Sequence, residues 1–224
     1  MKEMLQKLCP RDNRARASAL RSALAARGAA YECWEEMAIV LPAAADDKVV
    51  LCAHFDAVPG SFGYNDNGMS LVTVLSLLER LPACAEVVFT NGEECGFLGA
   101  EHYLNRQRGR LLGCVNLDVC GFGNTIYCDP MDSGIELAGC KCGRMPLNDG
   151  YVFAEHGIPT LTLSAGPAAL TFAAGLGMIR RTIHNGPLDN DLNILNFELP
   201  AKVGETALRA IGEFSNVLYS MDAG

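Results

Sequence analysis

The chain has 224 residues, of which half are apolar and a fifth are charged, and this composition predicts one globular domain with a full hydrophobic core. It excludes a largely disordered chain, because such chains lack the apolar residues needed to form a core. The formal net charge of −8 argues against nucleic acid as a partner, since phosphate recognition requires clustered Lys and Arg.

The first part of the chain is predicted to form a helix, a strand and then a strand–helix unit. The helix covers residues 2–27 within an N-terminal segment, 1–28, that ends at Gly28, and the first strand covers residues 31–41. Residues 49–53 are apolar at every position, which is typical of a strand buried on both faces. Apolar residues at helical spacing from Met69 predict the next helix.

The alternation of strands and helices continues to the end of the chain. Strands are predicted at 87–89, 114–119, 124–128 (as an edge strand) and 160–164, and helices at 98–108 and 149–156. The closing helix has apolar residues three or four positions apart, which indicates one buried face: Leu195, Leu199, Val203, Ala207, Ile211, Phe214, Leu218 and Met221. This order predicts a mainly parallel sheet covered by helices on both sides. Residues 166–187 are rich in small residues and are predicted to be a long active-site loop.

The N-terminus and the cysteines bear on cellular location. Met1–Leu8 alternates charged and apolar residues, unlike a signal peptide, and the longest apolar stretch, 167–179, is shorter than the ~20 residues of a spanning helix. We therefore expect a cytoplasmic protein without a membrane partner. The ten cysteines are accordingly predicted to be free thiols, and the one-residue gap of Cys140-Lys-Cys142 does not match a zinc-binding thiolate pair.

Metal-type ligands follow the predicted buried strands. Ligands of open α/β sheets bind beyond the carboxyl ends of the strands, so side chains at these positions are expected to converge. The residues at these positions are imidazoles and carboxylates: His54 and Asp56 after the first buried strand, Asp66 in the following turn, Glu93 and Glu94 after the second, Asp118 at the close of the third, and His184 in the predicted loop.

These side chains predict a site for two metal ions. Imidazole and carboxylate suit zinc, although manganese or cobalt takes similar ligands. Five ligands are too many for one open catalytic zinc but fit two ions ~3.5–4 Å apart that share a carboxylate. Asp66 is the expected bridge, because its glycine-containing turn brings backbone close to the metals. One glutamate of the adjacent pair then serves as general base, and Asp56 is placed to hold the His54 imidazole in one tautomer.

Together these motifs resemble the di-zinc aminopeptidases of metallopeptidase family twenty-eight. The resemblance runs from about residue 47 to the closing helix. It rests on His54-Phe55-Asp56, Asn65-Asp66-Asn67-Gly68, the run from Gly92-Glu93-Glu94 to Ala100, Asn116-Leu117-Asp118, and His184 with Pro187-Leu188-Asp189.

The resemblance implies a role for each site residue. Asp66 bridges two zinc ions, His54 and Asp118 complete one site, and Glu94 and His184 complete the other. Glu93 is the general base and Asp56 the orienting carboxylate. The implied fold is a three-layer α/β/α sandwich around a mixed, mainly parallel sheet, formed by a single zinc-exopeptidase-like domain over residues 1–224. The implied reaction removes the N-terminal residue from a peptide substrate with a free N-terminus.

The sequence departs from the family pattern at three points. Leu147-Asn148-Asp149-Gly150 stands where the family often has Ser-Asp-His, and one residue is inserted after His184 at Asn185-Gly186. From its length we also expect no additional lid or dimerisation domain of the kind that larger relatives have. Side-chain specificity and oligomeric state therefore stay open.

Two other functions remain as alternatives. Glutaminyl cyclase resembles this family in fold but works with one zinc and forms pyroglutamate; the Glu93-to-Gly99 run favours the peptidase. A non-catalytic binding domain of the same fold is the second alternative. Such domains typically lose a ligand or the base, whereas this sequence carries the full set.

Overall fold

A computed structural model describes residues 1–168 and 181–221 of the chain. Its centre is an eight-stranded sheet, whose strands are β1 Glu32–Trp34, β2 Ala38–Leu41, β3 Asp47–His54, β4 Ala85–Thr90, β5 Arg110–Leu117, β6 Thr125–Asp129, β7 Lys141–Cys142 and β8 Thr160–Gly166. The strand order is β1-β2-β4-β3-β5-β8-β6-β7. Strand β3 runs parallel to β4 and β5, and β5 runs parallel to β8, whereas β2 and β6 pair antiparallel to β4 and β8.

Helices cover both faces of this sheet. They are α1 Lys2–Leu8, α2 Asn13–Ala25, α3 Met69–Leu77, α4 Leu98–Arg106, α5 Asp149–Glu155 and α6 Leu199–Met221. Successive side chains of a strand point to opposite faces, and β3 shows the consequence. Val49 and Leu51 pack in the core beneath α1, α2, α3 and α6, whereas Val50 and Cys52 pack in a second core with residues of α4 and α5. The prediction of an α/β/α sandwich with a mixed, mainly parallel sheet is confirmed.

The N-terminal segment forms two helices, so the prediction of one helix over residues 2–27 was wrong. Helix α1 ends at Leu8 and α2 begins at Asn13. Pro10 explains the break, since proline disfavours helical backbone in the residue before it and cannot donate an N–H bond. The side chain of Asp12 then caps α2 by accepting a hydrogen bond from the N–H of Ala15 at 2.8 Å.

The predicted strand at 31–41 is also two elements. Strands β1 and β2 form an antiparallel hairpin in which Trp34 pairs with Ala38. Glu35 and Glu36 make the turn with φ values of 49° and 62°. Glutamate seldom takes this left-handed conformation, so the sequence gives no turn signal here.

Other features of the strands and of α6 also differ from the sequence predictions. Strand β6 is not an edge strand, because the two-residue strand β7 pairs along its outer side. Strand β5 ends at Leu117, which leaves Asp118 just beyond it. Leu195 lies before α6 and pairs with Phe122 in an isolated bridge.

Some predictions fall outside what the structure describes. Residues 169–180 of the predicted active-site loop are outside the described residues, as are the side chains of Leu218 and Met221 in α6. The single domain over residues 1–224 therefore stays a prediction. All ten cysteines are free thiols, as predicted. Within the described residues, we find no helix with the length and apolar character needed to span a membrane.

Candidate metal centre

The five predicted ligands meet at one edge of the sheet. They form two groups of three that share Asp66: His54, Asp66 and Asp118 in the first group, and Asp66, Glu94 and His184 in the second. Within each group, one ligand atom from every residue lies within 4.8 Å of the others. In the first group, His54 Nε2 is 3.2 Å from Asp66 Oδ1 and 3.5 Å from Asp118 Oδ1. In the second, His184 Nε2 is 3.3 Å from Glu94 Oε2.

The parallel strands explain this convergence. His54 is the last residue of β3 and lies in register with Thr90, the last residue of β4. Asp118 follows the end of β5 on the other side of β3. Because parallel strands end at the same edge, ligands far apart in sequence meet there. The Asp66 turn precedes α3, and His184 lies in the segment between β8 and α6.

Unpaired buried atoms show that these residues fit metal ions. His54 Nε2, Glu94 Oε1 and Asp118 Oδ1 are buried, and none makes a hydrogen bond of good geometry to a described residue, although His54 Nε2 lies close to the Asp66 and Asp118 carboxylates. Buried polar side-chain atoms almost always have a partner, so three exceptions in one cluster need an explanation. A cation bound between these atoms supplies it, and the mixture of imidazole and carboxylate donors suits zinc. The His184 side chain is 63% exposed, which places it at the mouth of the site.

The electrostatics of the cluster also favour a cation. Burial raises the pKa of Glu93 to about 9 and that of Glu94 to about 8. Charged His54 opposes both shifts, whereas the neighbouring carboxylates, including Asp66 and Asp118, add to them. Crowded carboxylates disfavour one another's ionised forms, and a bound cation removes that penalty.

Asp56 contacts both His54 and the glutamate pair. One of its carboxylate oxygens is 3.5 Å from His54 Nδ1, although the backbone carbonyl of Asp56 is closer to that nitrogen, at 3.1 Å. The same carboxylate accepts hydrogen bonds from the N–H groups of Glu93 at 3.3 Å and Glu94 at 3.2 Å. Asp56 therefore fixes the turn that carries Glu93 and Glu94, a contact that sequence reasoning missed.

Glu93 lies beside the ligands without belonging to either group of three in the described part of the chain. It is the first residue of a short 3₁₀ turn between β4 and α4, and its exposed fraction is 9%. Gly92 and Gly96 flank this turn with φ values of 80° and 99°, which glycine adopts without strain. Glu93 is therefore held next to the ligands in a nearly buried position.

Sequence reasoning also missed a second anchoring carboxylate, Asp189. It accepts hydrogen bonds from the N–H groups of Asn65 at 3.2 Å and Asp66 at 3.0 Å, and from Ser61 Oγ at 2.7 Å. It holds the Asp66 turn much as Asp56 holds the Glu93–Glu94 turn. Its only sequence signal was its place in the Pro187-Leu188-Asp189 match, which gave it no role.

Arg16 of α2 is a buried cation near the same loops. Its Nε donates to the carbonyl of Phe55, between His54 and Asp56, and its Nη1 donates to the carbonyl of Phe62 at 2.6 Å. Its side chain is fully buried. Nothing in the sequence distinguished Arg16 from the other arginines of the same helix, the exposed Arg14 and the partly exposed Arg21.

Comparison with known proteins identifies the family. The model of peptidase family M28 matches residues 37–186. This chain belongs to peptidase family M28. Membership confirms the family predicted from the sequence and supports the prediction of a peptidase.

Individual relatives agree with this assignment. The "Vacuolar membrane protease" of Yarrowia lipolytica is 36% identical over 83 residues, which are 34% of this chain but 8% of that protein. The chain therefore spans only a small part of the length of this curated relative. Among solved structures, BSAP, a zinc aminopeptidase from Bacillus subtilis, aligns with a TM-score of 0.62 and 22% identity over 79% of this chain and 49% of its own. Porphyromonas gingivalis glutaminyl cyclase aligns with a TM-score of 0.70 and 17% identity over 95% of both chains.

The prediction of a cytoplasmic location was wrong. Curated relatives from Yarrowia lipolytica, Saccharomyces cerevisiae and Botryotinia fuckeliana are named vacuolar membrane proteases. The prediction had depended on the apparent absence of an export signal, and such an absence does not determine where a protein acts. The same names also leave the expectation of no membrane partner without support.

Proposed function

We propose that the chain is a zinc-dependent exopeptidase that removes the N-terminal residue of peptides. The observation that carries the proposal is the pair of three-ligand groups that share Asp66. Each group could hold one zinc ion, and the shared Asp66 carboxylate would serve both ions. The zinc assignment draws further support from the B. subtilis neighbour, which is a zinc aminopeptidase.

In this proposal the protein supplies ligands, a base and their orientation. His54 and Asp118 would hold one ion, Glu94 and His184 would hold the other, and Asp66 would serve both. When bound, the ions polarise the scissile carbonyl and lower the pKa of a water molecule.

Glu93 takes the proton from that water and passes it to the leaving amine. Its buried, acid-rich surroundings raise its pKa to about 9 in the metal-free protein, and cations beside it lower that value towards the working pH. A pKa near the working pH is what a residue needs in order to accept a proton and then release it.

Electrostatics favours a substrate with a free N-terminus. The chain carries a formal net charge of −8, and it would stay negative after two zinc ions had offset the carboxylates of the site. A protonated amino terminus is attracted by such a field, whereas a blocked terminus has no charge to be recognised. Exopeptidase action is therefore the best-supported form of the proposal.

Glutaminyl cyclase activity is the second candidate, because the P. gingivalis enzyme aligns over 95% of both chains. At 17% identity that likeness concerns the fold alone. The presence of two complete ligand groups favours the peptidase, since the cyclase reaction was expected to need one zinc. The same complete set of ligands argues against a non-catalytic binding domain.

The test combines metal analysis with product analysis. Purified protein is stripped with chelator and reloaded with zinc, and zinc per chain is measured by mass spectrometry. The loaded protein is then incubated with free and N-acetylated peptides and with a peptide that begins with glutamine. We expect two zinc ions per chain and amino-acid release from free peptides only. Pyroglutamate as the sole product would instead establish the cyclase, and a protein without bound zinc or product would establish the binding domain.

A further inference from the structure

Two buried asparagines flank the shared ligand Asp66. The side-chain amide of each donates one hydrogen bond to, and accepts one from, backbone groups of other segments. Asn65 and Asn67 stand on either side of Asp66, and both are fully buried. A side-chain amide offers a donor and an acceptor in one rigid plane, so it can fix a backbone segment at two points.

Asn67 brackets Asp118. Its Nδ2 donates to the carbonyl of Leu117 at 2.9 Å, and its Oδ1 accepts from the N–H of Val119 at 3.2 Å. Val119 has a φ of 56°, which is unfavourable for a β-branched residue. The two hydrogen bonds hold the chain in this conformation on both sides of Asp118, and so set the direction in which the Asp118 carboxylate points.

Asn65 reaches the segment that carries His184. Its Nδ2 donates to the carbonyl of Thr182 at 3.0 Å, and its Oδ1 accepts from the N–H of Gly121 at 2.9 Å. Thr182 is two residues before His184, whose own N–H donates to Asp66 Oδ2 at 3.3 Å. The Thr182 contact ties the His184 segment to the turn that carries the shared ligand, and the Gly121 contact ties the same turn to the loop after Asp118.

We propose that Asn67 positions Asp118 for the first metal ion and that Asn65 positions His184 for the second, so that each amide acts mainly on one of the two half-sites. This inference rests on the proposed two-metal site. Both asparagines are positioning residues, since they contact backbone and not the expected metals. Because each asparagine acts mainly on a ligand of a different group, we expect Asn67→Ala and Asn65→Ala to weaken the binding of different metal ions.

The test measures zinc affinity in backgrounds that keep only one group. His184→Ala leaves His54, Asp66 and Asp118, and Asp118→Ala leaves Asp66, Glu94 and His184. Asn67→Ala and Asn65→Ala are added singly to each background and to the wild-type chain. Zinc dissociation constants are then measured by competition with a chromogenic chelator.

We expect a crossed pattern of effects. In the His184→Ala background, Asn67→Ala weakens zinc binding by ~10- to 100-fold, the usual cost of losing a residue that orients a ligand, while Asn65→Ala has little effect. In the Asp118→Ala background we expect the reverse: Asn65→Ala weakens zinc binding, and Asn67→Ala has little effect. In the wild-type chain, each variant weakens one of the two binding steps.

Matched variants separate positioning from general destabilisation. Asn196 makes a similar pair of contacts away from the ligands, to the carbonyl of Gly123 and the N–H of Glu198, so Asn196→Ala should lower stability without changing zinc affinity. Asn67→Asp and Asn65→Asp keep the acceptor and lose the donor, and serve where an alanine variant does not fold. Circular dichroism with chelator present checks that each variant folds.

The results distinguish failure of the proposed metal site from failure of the roles assigned to Asn65 and Asn67. A wild-type chain that binds no zinc would refute the proposed metal site itself. If the wild-type chain binds two ions but both asparagine variants weaken both steps equally, or neither step, the assignment of one amide to each half-site is wrong.

Discussion

A buried carboxyl group outside the ligand set, Asp149, is expected to make the metal-free protein less stable as pH rises. It is the first residue of α5 and is 1% exposed. Its Oδ2 accepts a hydrogen bond from Thr90 Oγ1 at 2.5 Å, and its Oδ1 has no partner among the described residues. Burial raises its pKa from 3.8 to about 7, against the opposing effects of charged His54 and the Thr90 hydrogen bond.

The sign of the pH effect follows from these two pKa values. In the unfolded chain the carboxyl titrates near 3.8, and in the folded protein near 7. Below pH 3.8 both states hold the proton and the full contribution to stability is present. As pH rises towards 7, the unfolded chain loses the proton first, and the free energy of unfolding falls. At about 1.4 kcal/mol per pH unit, the loss from this one group is about 4 kcal/mol above pH 7.

Replacement of Asp149 by asparagine removes this contribution to the pH dependence of stability, because the amide does not titrate. We expect the free energy of unfolding of Asp149→Asn, relative to wild type, to rise by about 4 kcal/mol between pH 4 and pH 8. Comparison of the variant at two pH values cancels any packing cost of the amide, since that cost is the same at both. The assay is urea unfolding with chelator present. Added zinc should make the rise between pH 4 and pH 8 smaller, because nearby cations lower the pKa of Asp149 as charged His54 does.

The exposed residue Asp132 provides the matched control. Asp132→Asn should change the dependence of stability on pH far less than Asp149→Asn. If the unfolding free energies of Asp149→Asn and wild type run parallel from pH 4 to pH 8, Asp149 is not a buried carboxyl with a raised pKa, and the reasoning is refuted.

Three further substitutions test the site and its support. Glu93→Gln should keep the bound zinc while turnover falls by ~10²- to 10⁴-fold, because a positioned base is lost; near-normal turnover would contradict the role of Glu93. Asp66→Ala should release both ions, as mass spectrometry of the purified variant would show, and retention of two ions would mean that Asp66 is not the bridge. Arg16→Met leaves two backbone carbonyls unpaired and should lower the free energy of unfolding by about 2–4 kcal/mol in urea, whereas the exposed Arg14→Met should change it little.

The elements that carry the ligands were predictable because their signals are local. The run from Val49 to Ala53 is apolar at each position, and β3 is buried along the same residues. A strand of that kind belongs in the middle of a parallel sheet, and the polar residues after it must lie at the sheet edge. The identity of those residues, imidazole and carboxylate, then indicated metal chemistry before any distance was known.

The elements that were mispredicted lack such signals or carry competing ones. The turn between β1 and β2 uses Glu35 and Glu36 at positive φ, where glycine or asparagine is the usual signal. The break between α1 and α2 had a signal in Pro10, but the helical spacing of apolar residues on both sides outweighed it. The local pattern correctly predicts helix on each side of Pro10, but it does not predict that the helix is interrupted between Leu8 and Asn13.

The contacts that hold the ligands in place could not be predicted from local pattern at all. Asn65-Asp66-Asn67-Gly68 indicates a turn, and it is one, yet the partners of its amides are Leu117, Val119, Gly121 and Thr182. These partners are at least 50 residues away in sequence. Hydrogen bonds of this kind depend on the completed sheet, so neither composition nor periodicity carries a trace of them.

These distant anchors follow one physical rule, which explains why the site is made of turns and still has a defined geometry. Each ligand-bearing segment is held through its backbone by a buried side chain from elsewhere: Asp56 holds Glu93–Glu94, Asp189 holds Asn65–Asp66, and Asn67 holds Asp118. Burial opposes ionisation of Asp56, but the neighbouring His54, and after it the N–H groups of Glu94 and Glu93, favour the ionised carboxylate and keep its pKa lowered. Among the proposed ligands, Glu94 and Asp118 each have a buried carboxylate oxygen without a hydrogen-bond partner among the described residues, and burial raises the pKa of both groups. Asp189 accepts backbone N–H bonds as Asp56 does, yet its burial raises its pKa to about 6. Acceptance of backbone N–H bonds, and not the direction of the pKa shift, is therefore what the two anchoring carboxylates share.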